Sequence, residues 1–233
     1  MASNGGPQFT FPSNLEPETV QPGTNILVSG SSGQGARDVA LRLMLAGTSS
    51  NEGVLLLSAG TSGRSLLERA AHEVETLDRG RVGIVDCSGL EDDQQRFDEH
   101  TKSIDDPGDL TAIQMELSVL YEMLLERGYD RVRVGVFSVS ALIAHAELEA
   151  VSRFIHMLSG RVIATADLGV FVLDSSMQDD LTVDVIEQYC DGTIDVQMTD
   201  DDNTEIRARG LGIDSPSWRQ VSASPQDQQR HQP

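Results

Sequence analysis

The stretch NILVSGSSGQGARDVALRLMLAG (residues 25–47) determines how the rest of the sequence is interpreted. Its apolar start predicts a short buried strand over residues 26–28, and the positions after the glycines have the spacing of a helix. Gly30 and Gly35 keep the spacing of a phosphate-binding loop, which continues with Lys and then Ser or Thr. This chain has Ala36 and Arg37 there instead. The sequence therefore predicts the loop's strand-turn-helix backbone without its two chemically active side chains.

The same glycines allow a tight turn that points backbone amides at one place above a helix N-terminus, where an anion is favoured. Without the lysine no cation faces the β- and γ-phosphates, and without the hydroxyl Mg²⁺ loses a ligand. Three hypotheses follow: a retained turn with no ligand, weak binding of ATP or another nucleotide, or hydrolysis with Arg37 as a substitute cation. The serines are turn formers before they are phosphate contacts. The candidate binding residues are Gly30, Ser31, Ser32, Gly33, Gln34, Gly35, Ala36 and Arg37.

The charge of the chain is strongly acidic. There are 37 acidic and 17 basic residues, giving a net charge of −20, and Lys102 is the single lysine. Such a surface stays hydrated in molar salt, where the Debye length is about 3 Å, so we expect a halophilic cytoplasm. An acidic domain that binds a basic partner is the alternative. Nucleic acid is not an expected partner, because counterion release needs clustered Lys and Arg.

The ends of the chain and its cysteines add further expectations. The N-terminal region lacks a basic segment followed by a long apolar one, and no run of about 18 apolar residues occurs, which predicts a cytoplasmic protein without a membrane span. We expect a flexible segment over 1–20, one domain over 21–220 and a disordered tail over 221–233. Cys87 and Cys190 are too few for a zinc site and are expected to be buried free thiols.

Between the ends, apolar strands alternate with amphipathic helices. This alternation predicts an α/β fold with a mostly parallel central sheet, helices on both faces and an antiparallel C-terminal edge hairpin. Ligands of such sheets lie beyond the carboxyl ends of the strands, where the glycine loop would be. After the first unit, the predicted strands are 54–57, 82–85, 132–137, 170–173, 193–196 and 205–208, the helices are 66–77, 110–125, 141–158 and 181–189, and residues 91–109 are a solvated loop.

Six motifs follow one another along the chain: SGSSGQGA, DPGDLTAIQMELS (106–118), VGVFSVSAL (134–142), DLTVDVIEQYCDGTIDVQ, EIRARG and PSW. Their order resembles the RecA-like P-loop ATPases of the KaiC type, and most closely their short, degenerate haloarchaeal members (HTR-like) that stand alone as single domains. The resemblance covers about residues 15–220. It implies the RecA-like P-loop fold.

The resemblance also implies where catalysis would take place, because active members hydrolyse ATP at subunit interfaces. The loop lysine and its Thr or Ser correspond to Ala36 and Arg37, the paired glutamates after the second strand to Gly60 and Thr61, and the Walker B aspartate to Phe137. With all of these substituted, no metal ligand, base or phosphate clamp remains. We therefore predict no catalytic residues, no metal and no cofactor.

The sequence thus favours a pseudo-ATPase that acts as a regulatory or protein-interaction module, through protein partners or a homo-oligomer. The alternative is a nucleotide-binding switch or weak ATPase, in which Arg37 or a neighbouring subunit supplies the missing charge. Calorimetry with ATP and magnesium distinguishes the two hypotheses.

Several other polar residues have simpler explanations than ligand binding. Ser138 and Ser140 are expected to cap the helix that starts near residue 141. Arg64 is expected to be exposed at a helix start. His145 and His156 are eleven residues apart, about three helical turns, and so are too far apart to bind one metal.

A dinucleotide-binding turn is a further hypothesis, because Gly30, Gly33 and Gly35 also fit its glycine pattern. That turn expects an acidic residue at the end of the second strand to hold the ribose hydroxyls, but residues 58–60 are Ser-Ala-Gly. A short-chain reductase would also need a Tyr-x-x-x-Lys pair, and Lys102 has no such tyrosine before it. The sequence does not favour this hypothesis.

Overall fold

The computed structural model describes residues 7–31, 33–46, 51–73, 77–89, 100–199, 201 and 203–221. The strands are β1 (Phe9–Thr10), β2 (Thr19–Val20), β3 (Asn25–Gly30), β4 (Glu52–Ser58), β5 (Val82–Asp86), β6 (Thr101–Ser103), β7 (Arg131–Phe137), β8 (Leu168–Asp174), β9 (Gly192–Met198), β10 (Thr204–Gly210) and β11 (Arg219–Val221). The helices are α1 (Gly33–Leu45), α2 (Gly63–Glu73), α3 (Leu110–Glu126), α4 (Val139–His145), α5 (Leu148–Thr165) and α6 (Asp180–Glu187), with a 3₁₀ turn at Arg79–Arg81.

The main sheet of the described residues has nine strands in the order β11-β10-β9-β3-β8-β7-β4-β5-β6. Every pair from β9 to β6 is parallel, whereas β9, β10 and β11 pair antiparallel. This arrangement confirms the predicted α/β fold with its C-terminal hairpin. The hairpin lies one strand inside the edge, because β11 pairs outside β10.

The sheet is covered on both faces, which explains why its central strands are mostly apolar. All residues of β3 and β4 are buried. Successive side chains of β4 alternate between two cores, with Leu56 in the core under α1 and α2, and Leu55 and Leu57 in the core under α3 and α5. Burial of each such leucine contributes about 1.5–3 kcal/mol to folding. Within the described ranges, none of the helices has the length and apolarity needed to cross a membrane.

Two predicted elements differ in the structure. The single helix predicted over 141–158 is two helices. Ala146 is extended (φ −139°, ψ 157°), and Glu147, which precedes α5, also lacks helical geometry. The solvated loop predicted over 91–109 contains β6, which pairs with β5 and is flanked by bonds from Ile84 N to the His100 carbonyl (2.8 Å) and from Ile104 N to the Asp86 carbonyl (2.8 Å). Residues 91–99 lie outside the described part of the chain.

The N-terminal segment, expected to be flexible over 1–20, forms the β1–β2 hairpin in its described part, residues 7–20. Phe9, Leu15 and Val20 are buried against the main core. The hairpin therefore belongs to the folded unit. Of the predicted C-terminal tail, Val221 is buried in β11, and residues 222–233 lie outside the described ranges.

The hairpin covers a buried ionic network at the amino ends of β4 and β7. Arg133, fully buried, donates from Nε to Glu52 Oε2 (2.7 Å), from Nη1 to the Leu43 carbonyl (2.5 Å) and from Nη2 to the Thr10 carbonyl (3.1 Å). Arg131 donates to the other Glu52 oxygen (2.6 Å), and its guanidinium lies 4.3 Å from the centre of the Phe9 ring. Burial lowers the pKa of Arg133, and Glu52 opposes that effect.

Candidate functional site

The glycine loop joins β3 to α1 at the carboxyl edge of the parallel sheet, and both elements are where the sequence predicts them. β3 ends at Gly30 and α1 begins at Gly33. Ser31 is exposed, Gly35 is buried, Ser32 lies outside the described residues, and the side chain of Gln34 is not described. A strand and a helix therefore flank the glycine loop, as they flank a phosphate-binding loop.

The lysine position of the loop is part of the core. Ala36 is fully buried. A Cβ added to Gly30 would lie 3.3 Å from the Ala36 Cβ and 2.9 Å from the Val196 carbonyl oxygen. Gly30 is thus held between α1 and β9, where a side chain would collide with the backbone of β9. The methyl group of Ala36 fills this contact and offers no charge to the loop.

Phe137, which the family resemblance places at the Walker B aspartate, is also part of the core. Phe137, at the end of β7, is 1% exposed. A Cβ added to Gly135 would lie 2.7 Å from Phe137 Cε2 and 3.1 Å from the Met44 Cε of α1. The phenyl ring therefore lies along β7 against α1. An aromatic ring in this place cannot bind a metal as the aspartate of an active relative would.

The turn after β4, where the resemblance places the paired glutamates of active members, is a hydrogen-bonded loop. Gly60 has φ +73°, a conformation that glycine adopts readily, and Ser58 Oγ donates to the Thr61 carbonyl (2.6 Å). The nearby carboxylate of Asp86 accepts bonds from Gly63 N (2.6 Å) and Ser88 N (2.9 Å). Asp86 therefore holds the start of α2.

Of the two serines after β7 that were expected to cap a helix, Ser138 does so, whereas Ser140 lies inside α4 and bonds to β8 instead. Ser138 is the N-cap of α4, and its Oγ accepts a bond from Ala141 N at 3.4 Å. Ser140 Oγ accepts a bond from Asp174 N (2.9 Å) and thereby ties α4 to the end of β8. The Asp174 carboxylate in turn accepts bonds from the backbone N (3.0 Å) and Oγ (2.6 Å) of Ser176.

Arg37 lies on one side of the loop, half-buried, and makes no hydrogen bond to any residue in the described ranges. Burial lowers its pKa, as does the nearby cation of Arg69, whereas Asp174 and Asp38 oppose the shift. It lines a cavity of about 380 Å³ together with Thr61, Ser65, Leu66, Glu68, Arg69 and His72. The cation at the metal-ligand position of the loop therefore faces a cavity between α1 and α2.

A second cavity, of about 400 Å³, lies on the other side of the loop and includes Ser31. Its arginines are paired: Arg207 and Arg209 both donate to Asp195, with distances from Nε of 3.0 and 2.9 Å. The bonds to Asp195 raise the pKa of Arg209. The Trp218 ring centre lies 4.7 Å from the guanidinium of Arg207. Arg209 also pairs with Glu187 (3.1 Å), so two carboxylates balance the two arginines of the second cavity.

The remaining candidates do not form a metal site. Arg64 is exposed at the start of α2, as predicted, and it pairs with Glu68 (3.0 Å). His145 and His156 were expected on one helix but lie on α4 and α5, because the helix breaks at Ala146. Across the described parts of the chain, no three His, Cys, Asp or Glu side chains are grouped to hold a metal ion.

Both cysteines are free thiols. Cys87 is buried as predicted, and burial raises its pKa to about 12. Cys190 is half-buried rather than buried, and desolvation likewise raises its pKa to about 12, with Asp191 contributing. Both thiols are therefore protonated at neutral pH.

These features define an α/β protein with a KaiC-like, RecA-like fold. The chain belongs to the family of unknown function DUF7504, whose profile matches residues 23–196. Among solved structures it is similar to the KaiC-like protein from the hyperthermophilic archaeon Pyrococcus horikoshii OT3, with a TM-score of 0.65 and 12% identity over 94% of this chain and 95% of the other. At that identity the similarity establishes the fold alone. No curated protein matches the chain.

Proposed function

We propose that the protein is a non-catalytic RecA-like module, a pseudo-ATPase, that acts in regulation or protein interaction. The observation that carries this proposal is the buried ring of Phe137 at the position where an active relative has its metal-binding aspartate. The ring lies against Met44 and Gly135. It carries no carboxylate, and rotation of the side chain would not supply one. Loss of the metal ligand removes the group that neutralises charge during phosphoryl transfer.

Two further substitutions support the proposal. The buried methyl of Ala36 offers no charged hydrogen bond to a phosphate, and such a bond contributes about 1.5–3 kcal/mol. The turn at Gly60 and Thr61 has no carboxylate to activate a water molecule. Because the positions for clamp, metal and base are all substituted, one change would not restore turnover.

The acidic composition adds a proposed setting, which is the cytoplasm of a halophilic archaeon. In molar salt, simple charge attraction is screened, so partner proteins or further copies of the chain would be held by apolar and specific polar contacts. Light scattering after size-exclusion chromatography, in molar and in millimolar KCl, measures whether the chain self-associates.

A nucleotide-binding switch or weak ATPase is the second candidate. It is favoured by one observation: Arg37, in α1 beside the glycine loop, makes no hydrogen bond within the described residues. In this hypothesis Arg37 provides the charge that Ala36 does not, and ATP or another nucleotide binds weakly.

Calorimetry with ATP and magnesium separates the two candidates. The first predicts no binding tighter than about 100 μM, which corresponds to about −5.5 kcal/mol. Tighter binding would favour the switch. Phosphate release from the Ala36→Lys variant tests the catalytic part: we expect none, because Phe137 and Gly60 are unchanged. Recovery of turnover in that single variant would contradict the proposal.

A further inference from the structure

The cavity beside Arg37 brings two arginines together in a chain that carries a net charge of −20. Arg37 comes from the first turn of α1 and Arg69 from the middle of α2. Holding two guanidinium groups at one cavity is unfavourable unless an anion or a carboxylate lies between them. The question is therefore which groups balance this charge.

The carboxylates around the cavity have other partners. Arg69 donates from Nε (3.1 Å) and Nη2 (2.6 Å) to the same oxygen of Asp38. Its Nη1 makes no hydrogen bond within the described residues. Glu68 accepts from Arg64 Nε at 3.0 Å. Arg37 thus has no direct carboxylate partner among the described residues, and Arg69 keeps unused donors.

Hydroxyl groups line the same cavity. Ser65 Oγ accepts a hydrogen bond from Ser62 Oγ (3.1 Å), so its own proton can be donated to a ligand. Thr61 also lines the cavity, and its carbonyl is already bonded to Ser58 Oγ. Guanidinium groups with hydroxyl donors around them are the chemistry that recognises phosphate oxygens.

We propose that this cavity binds a compact anion of the phosphate or pyrophosphate class without a divalent metal, with Arg37 as the main ligand. Arg37 occupies the position where a phosphate-binding loop has the hydroxyl ligand of Mg²⁺. A guanidinium there supplies the positive charge itself and repels a metal cation. This inference goes beyond the proposed function, which needs no ligand, so its failure would leave that function standing.

The test is calorimetric titration of inorganic pyrophosphate into the full chain in EDTA, at the lowest salt concentration that keeps it folded. We expect binding to the wild type that weakens at least about tenfold in Arg37→Ala. Arg64→Ala is the matched control, because Arg64 loses the same charge from the neighbouring helix but is paired with Glu68. It should retain the wild-type affinity within about twofold.

A second set of titrations tests whether binding depends on magnesium and which kind of molecule carries the recognised phosphate groups. Replacing EDTA with magnesium should leave the affinity equal or lower, whereas an active phosphate-binding loop requires the metal. ADP in place of pyrophosphate shows whether a nucleoside adds affinity: equal binding identifies the diphosphate as the recognised group, and tighter binding of ADP identifies a nucleotide as its source.

Three results would overturn the proposal: no binding of pyrophosphate to the wild type, equal loss in Arg37→Ala and Arg64→Ala, or binding that disappears in EDTA. If Arg37→Ala has a lower melting temperature, Arg37→Lys serves as the second variant. It keeps the charge but not the bidentate geometry, so it should retain part of the affinity that the alanine variant loses.

Discussion

The two ends of the parallel sheet use arginine in opposite ways. At the amino ends of β4 and β7, Arg131 and Arg133 are bonded to both oxygens of Glu52 and covered by the N-terminal hairpin. At the carboxyl ends, Arg37 makes no hydrogen bond within the described residues. A buried charge is tolerated only when its donors are satisfied, so the first cluster has a structural role. For Arg37, which has no such hydrogen-bonded partner in the described residues, we propose an anionic ligand.

Among the variants that test this comparison, Arg133→Met should have the largest effect on the free energy of unfolding. Removal of Arg133 takes the donor from one oxygen of the buried Glu52 carboxylate, which keeps only Arg131, and should lower the free energy of unfolding by about 3–5 kcal/mol. Chemical denaturation of the variant measures the change. The double variant Arg133→Met with Glu52→Gln should lose less, because its buried carboxylate is also removed. If Arg133→Met lowers the free energy of unfolding by less than about 1 kcal/mol, the arginines at the two ends of the sheet do not differ in structural role.

Phe9→Ala should have an effect of similar or slightly smaller size, about 3–4 kcal/mol, because the ring is fully buried and lies against both arginines. The measurement also tests whether the N-terminal hairpin belongs to the folded unit. Trp218→Ala is the control from the carboxyl end, where the ring is 37% exposed, and should cost clearly less. Equal melting temperatures of Phe9→Ala and the wild type would contradict the packed hairpin.

The stability of the protein at alkaline pH tests whether solvent reaches the carboxyl end of the sheet beside the open cavity. Cys87 follows β5, and its thiol pKa is raised to about 12, against about 8.5 in an unfolded chain. Between these values the unfolded state has lost a proton that the folded state retains, so stability falls as pH rises. The slope is at most about 1.4 kcal/mol per pH unit for this thiol.

The contribution of this thiol is measured from the change in the free energy of unfolding between pH 8 and pH 10.5. This change should be smaller in Cys87→Ala than in the wild type. Tyr121, whose pKa is also raised to about 12, provides a background in both proteins. A thiol reagent should modify Cys87 slowly in the folded protein at pH 8 and rapidly in denaturant. Rapid modification of the folded protein would show that this part of the edge is open.

The smallest effect is expected at Arg37. Arg37→Met should change the free energy of unfolding by less than about 1 kcal/mol, since it removes a half-buried charge with no hydrogen bond in the described part of the chain. Comparison with Arg133→Met under the same conditions gives the difference between the two ends directly. A loss as large as that of Arg133→Met would show that Arg37 is structural.

The main elements of the fold could be predicted because each is a local pattern. The apolar run of β3, for example, is visible without any tertiary information. The break between α4 and α5 could not, because Ala146 and Glu147 are not helix breakers and the apolar spacing continues through them. Tertiary packing, which the sequence does not show locally, decides such a break.

The buried arginines were missed for a similar reason. In RVRVGVF (residues 131–137) the alternation suggests a strand with one polar face, and nothing local reveals that Phe9, more than 120 residues earlier, covers Arg133. The cavity beside the loop was missed because residues that are distant in the sequence form it. Arg37 was a candidate from its motif, but Arg69 reaches the cavity only through the packing of α1 on α2. Local patterns thus located the elements, whereas contacts between distant residues set the roles of the charged side chains.

Phosphate release from ATP and magnesium by the wild-type chain tests the central claim most directly, with Arg37→Ala measured beside it in molar and in millimolar KCl. The buried Phe137 and Ala36 predict no release above the protein-free background in either protein. Steady release by the wild type that Arg37→Ala abolishes would contradict the non-catalytic function.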